Sequence, residues 1–77
     1  MNNDRRKEIN KAIALLQEAL SILETARDEE GDYFNNMPEN LQSSERGQAA
    51  EQSYGYLEDA CCNLEDVIST AENSLEA

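Results

Sequence analysis

Glu58-Asp59 and Glu65-Asp66 are candidates for chemistry in this chain, two adjacent carboxylate pairs seven residues apart with Cys61-Cys62 between them. Paired carboxylates collect a divalent cation or share a proton, and thiols take soft metals or redox work. Neither reading gathers support. The chain has no histidine, so a thiol lacks its commonest activating base and a helical di-metal site lacks its Glu-x-x-His pairs. No glycine-rich phosphate loop and no oxygen cage of the calcium-loop type is present. The expectation is a protein that is not an enzyme and that needs no cofactor or metal.

What the acids do have is distribution. Of 17 Asp and Glu against 6 Lys and Arg, thirteen acids lie beyond residue 27, where Arg46 is the only cation. Residues 1–27 hold five cations and four acids. Glu51, Glu58, Glu65 and Glu72 recur every seven residues, and Asp59 and Asp66 form a second line one residue over. On a helix, successive members of each line stand about 10.5 Å apart. Asp28, Glu29, Glu30 and Asp32 add a cluster upstream. Such a surface repels nucleic acid and anionic lipid, and it steers a basic protein. Its bland reading is a solubilising face. Against that stands the lack of interleaved Lys or Arg, because a purely solvating helix gains from i,i+4 pairs of opposite sign.

The elements that position these residues are legible from apolar spacing. Ile9, Ile13, Leu16, Leu20 and Leu23, continuing through Arg27 and Glu30 to Phe34 and Met37, follow a 4-3 pattern, with Ala12, Ala19 and Ala26 beside it. Gly31 would either end this helix or be tolerated inside it at about 1 kcal/mol. The pattern resuming at Phe34 carries the helix to about residue 36. Met37-Pro38 stops it, since a residue before proline is pushed out of the helical region. Residues 37–43 then form a loop, in which Pro38 opens a short turn and Leu41 folds back over the end. Ser43 or Ser44 caps a second helix over about 44–75. There Tyr54, Cys61, Ile68 and Leu75 alternate with Ala50, Leu57, Leu64 and Ala71, and Ala60 and Val67 widen the stripe.

Two helices of equal length joined by a short loop predict an all-α fold, an antiparallel helical hairpin. Disorder, the alternative that high charge suggests, is opposed by the regular spacing. One hairpin leaves Leu15 and Ile22 beyond its neighbour's reach, and a homodimer forming a four-helix bundle would use them as its interface. Cys61 is expected as a small buried hydrophobe and Cys62 as an outward residue. Phe34 and Tyr54 match seam positions. Tyr33 and Tyr56 lie off the seam, where they anchor a partner or merely lid the bundle end. No signal peptide or membrane span is apparent, and unpaired thiols predict a reduced, cytoplasmic setting.

The run Ala26-Arg27-Asp28-Glu29-Glu30 through Tyr33-Phe34-Asn35-Asn36-Met37-Pro38-Glu39-Asn40-Leu41-Gln42, then Ser44-Glu45-Arg46, resembles a segment of small acidic helical proteins encoded by bacteriophages and prophage-bearing, mainly Gram-positive, bacteria. In those proteins the tyrosine-to-glutamine stretch joins an N-terminal helix to an acidic second helix. The resemblance implies a phage context, with the host cytoplasm as location, and transfers no catalytic or binding residue. Small acidic phage proteins often block host defence nucleases or other DNA-binding proteins. By that analogy the chain is expected to be an acidic protein-binding module and inhibitor, with Glu58, Asp59, Glu65, Asp66, Asp28 and Glu29 supplying charge and Tyr33 and Tyr56 anchoring. The alternative is a structural or accessory bundle-forming protein whose acids only keep it in solution.

Overall fold

The computed structural model describes residues 1–77 and contains helices alone: α1 (Asn3–Asn35), α2 (Glu39–Gln42) and α3 (Glu45–Glu76). The long helices α1 and α3 pack against each other as an antiparallel hairpin, and the single turn α2 rests on the start of α3. The molecule is a rod of 59 × 16 × 13 Å.

Helix α1 begins where Asn2, in extended backbone, accepts a bond from the Arg5 amide at 2.7 Å. It runs through Gly31 without a break. The physical reason lies across the seam, where the Tyr54 ring edge would come within 3.0 Å of a Cβ at position 31. Glycine there makes room for an aromatic ring, and the turn uses no left-handed residue anywhere. The Asn36 amide closes the last turn of α1 on the Asp32 carbonyl, and Pro38 then prevents continuation. The Leu41 and Gln42 amides bond the Pro38 carbonyl and form α2. The Gln42 side-chain amide donates to the Phe34 carbonyl at 3.2 Å, which pins this turn to the end of α1.

Ser44 is the cap of α3, its hydroxyl accepting from the Gly47 amide. Gly47 is buried directly beneath the α2 turn, where a Cβ would collide with the Gln42 carbonyl. At the other end of the rod, the Arg6 guanidinium donates to the Leu75 carbonyl at 2.7 Å. No basic residue occupies the last turn of α3. Arg6 therefore supplies from α1 the positive charge that a helix C-terminus favours.

The core is thin. Ile13, Ala50, Cys61 and Ile68 are its buried hydrophobics, and Leu16, Leu20, Leu23, Phe34, Tyr54, Leu57 and Leu64 are half-covered along the same seam. Two expectations need correction. Val67 does not widen the buried stripe but stands half exposed, and Leu41 stays 41% exposed instead of sealing the bundle end. Both follow from the same cause: a single helical neighbour covers only the residues facing it, and one turn of helix is too short to fold over more. Ala12, aligned with the half-buried Ala19 and Ala26, is exposed for the same reason.

Candidate functional site: an acidic side and an uncharged side

The seam divides the hairpin into two sides. On one, Gly31 and Asn35 of α1 and Glu51 and Tyr54 of α3 line, with Phe34, a cleft of about 290 Å³. Arg27 and Glu24 of α1 and Glu65 of α3 all lie close enough to Cys61 to act on its thiol. Glu24 and Gly31 of α1 therefore share this side with Glu51, Glu58, Glu65 and Glu72 of α3, all four of which are exposed. Asp28 sits at its α1 edge. Asp59 and Asp66 lie farther round, on the outer ridge of α3.

On the other side of the seam, α1 presents Ala12, Ala19 and Ala26 with Leu15 and Ile22 next to them, and α3 presents Ala60, Val67 and Tyr56. Leu15, Ile22, Tyr56 and Val67 are 58%, 64%, 68% and 50% exposed. Between Ala12 and Ala26 on α1 and between Ala49 and Ser74 on α3, the rows turned to this side carry no charged residue. In a chain with 30% charged residues, that is a segregated surface. Ile22, Ala26 and Glu29 border one shallow hollow, so Glu29 bounds the uncharged side at its loop end. Tyr33 lies at the same end and lines a second hollow with Met37, Pro38, Leu41 and Arg46.

The residues expected to form one partner surface are thus divided. Glu58, Glu65 and Asp28 belong to the acidic side and Asp59 and Asp66 to the ridge, whereas Tyr33 and Tyr56 belong to the uncharged side, with Glu29 at its boundary. Tyr56 and Glu58 are two positions apart, about 160° around a helix, and no single flat partner touches both. Leu15 and Ile22 are on the side that holds the tyrosines. Val67 completes that surface; counting it as core hid it, although its position beside Ala60 was readable.

Electrostatically the acidic side is compensated only at its α1 edge, by Arg27. The only ion pair is Arg27 with Asp28 at 3.0 Å, between neighbours on α1. That carboxylate's hydrogen bond holds the Arg27 guanidinium's proton more tightly than usual. Burial pushes the Cys61 thiol above its ordinary value of 9.0, which keeps it neutral and unreactive as a core residue. Cys62 is free and exposed. No group of three or more Cys, Asp or Glu side chains converges on a cation position. No helix is long and apolar enough to cross a membrane. The chain matches no protein-family model, no curated protein and no solved structure.

Proposed function

We propose that the protein is an acidic protein-binding module, with an inhibitor of a host defence or nucleic-acid-binding protein as its concrete role in a phage context. The observation that carries this reading is the acidic side of α3, where Glu51, Glu58, Glu65 and Glu72 run in line with no cation among them. A basic cleft that normally takes a nucleic-acid backbone would meet regularly spaced carboxylates on a rigid rod. Duplex DNA carries one charge per about 1.7 Å, so the mimicry is partial and works by competition at the on-rate stage.

The test compares the full chain with the variant Glu58→Lys, Asp59→Lys, Glu65→Lys, Asp66→Lys in retention of proteins from a bacterial lysate. The wild type is expected to retain a basic nucleic-acid-binding protein, to release it at about 0.5 M salt, and to displace DNA from it. The variant, helical by circular dichroism, is expected to retain none. Equal retention by the variant overturns the reading.

A second reading is a bundle-forming accessory protein in which Leu15 and Ile22 meet a second hairpin to complete a four-helix bundle. The uncharged side of the rod favours it. The two readings use opposite sides of the molecule and are compatible in one protein.

A further inference from the structure

Resting on the bundle-forming reading, the inference concerns which surface pairs and in which direction. We infer that the uncharged side seats a second copy of this chain turned end for end, the loop end of one hairpin beside the termini of the other. Three observations carry it.

The first is charge. A copy of this chain brings a net charge of −11 with it. A cationic partner is drawn to the acidic side, but an identical acidic chain approaches without burying like charges only where charge is absent. That place is the side bearing Leu15, Ile22, Tyr56 and Val67.

Area is the second. The chain exposes 5664 Å², against about 4,700 Å² for a compact monomer of its mass. The excess belongs to the whole elongated rod, and one long side of a body 59 × 16 Å across is large enough for the roughly 800 Å² that each partner contributes to a stable interface.

The third is the placement of the patch and of the charge along the rod. Ala19 is the midpoint of α1, and Ala60 falls at the midpoint of α3. A two-fold axis across the rod at that level turns the patch onto itself, as a self-complementary interface requires. It sets Ala19 against Ala19 of the second copy, where small side chains let the backbones approach, and brings Leu15 level with Ile22 of that copy. Direction follows from the ends. Residues 27–51 hold seven carboxylates against Arg27 and Arg46, whereas residues 1–14 and 68–77 together hold four cations and four carboxylates. Aligned copies would stack two anionic loop ends; reversed copies set each loop end beside a neutral end rich in Arg and Lys.

Sedimentation of the full chain over a range of concentrations, joined to cysteine crosslinking, tests this. The wild type is expected to sediment as a dimer. Ile22→Lys with Val67→Lys, both at exposed positions, is expected to weaken association by at least about a hundredfold, since four apolar side chains leave each dimer interface. Glu58→Lys with Glu65→Lys, on the opposite side, leaves the dimer intact. In a Cys62→Ser background, an equal mixture of Leu15→Cys and Ile22→Cys chains is expected to form a mixed disulfide-linked dimer on mild oxidation, because reversed copies bring those two positions level. This readout stands even where the lysine variants lose helicity. A strict monomer overturns the inference while sparing the acidic-module reading. A dimer that survives the lysine pair overturns the surface assigned here, and chains that crosslink only like to like overturn the direction.

Discussion

Gly31, Gly47 and Gly55 all lie in helical backbone, yet the space above each α-carbon differs and so does the expected effect of filling it. Nothing lies within 4 Å of a Cβ at position 55. Gly55→Ala is therefore expected to stabilise by about 0.5–1 kcal/mol through reduced chain entropy in the unfolded state. At position 31 the new methyl presses on the Tyr54 ring, which offsets that gain. At position 47 it meets backbone, with the Leu41 carbonyl oxygen 2.5 Å away, and α2 must lift. Gly47→Ala is expected to cost more than about 1 kcal/mol, a drop of several degrees in the melting midpoint for a chain of this length. Thermal melts of the three variants check the order 55 above 31 above 47. Sequence does not distinguish the three glycines, because what separates them is an atom contributed from elsewhere in the chain.

At the scale of elements, the helices were largely legible because they are strongly periodic. The expected spans 4–36 and 44–75 stand against Asn3–Asn35 and Glu45–Glu76. Offsets of one residue are inherent where the last turn frays. Ser44 is one of the two caps that the sequence allowed for α3, and Asn2 caps α1. Less legible was what each helix exposes. Ala60 and Val67 sit in one row, yet the first is half-covered and the second is not. Helix geometry divides Tyr56 from Glu58, a division invisible when acids and aromatics are read as one stretch of residues. Long-range caps were equally hidden, since Arg6 and Leu75 are 69 positions apart. Arg6→Met is expected to speed amide exchange several-fold in the last turn of α3 and to leave the middle of that helix unchanged, read by hydrogen exchange.

At the scale of the whole molecule, the rod is held together against its own charge. Its radius of gyration is 17.4 Å, where a compact domain of this length would have about 11 Å. From Glu51 onward the acids on α3 repel one another with no cation between them, so screening favours the folded form. Raising sodium chloride from about 0.02 to 0.5 M is expected to raise the melting midpoint by several degrees in a calorimetric scan. A midpoint that falls with salt would show ion pairing to outweigh repulsion. The leucine-rich seam poses a further mechanical question. Two smooth helices of this length invite sliding by one turn or one heptad, since alanine and leucine fit many neighbours almost equally well. Gly47 forbids it. It is the one position in the first turns of α3 that lacks a Cβ, and the α2 turn fits over it alone; Tyr54 on Gly31 and Arg6 on the Leu75 carbonyl repeat the lock farther along the rod. The hairpin is thereby a ruler with fixed graduations: each carboxylate on α3 keeps its distance from both ends, and the spacing it offers does not ratchet.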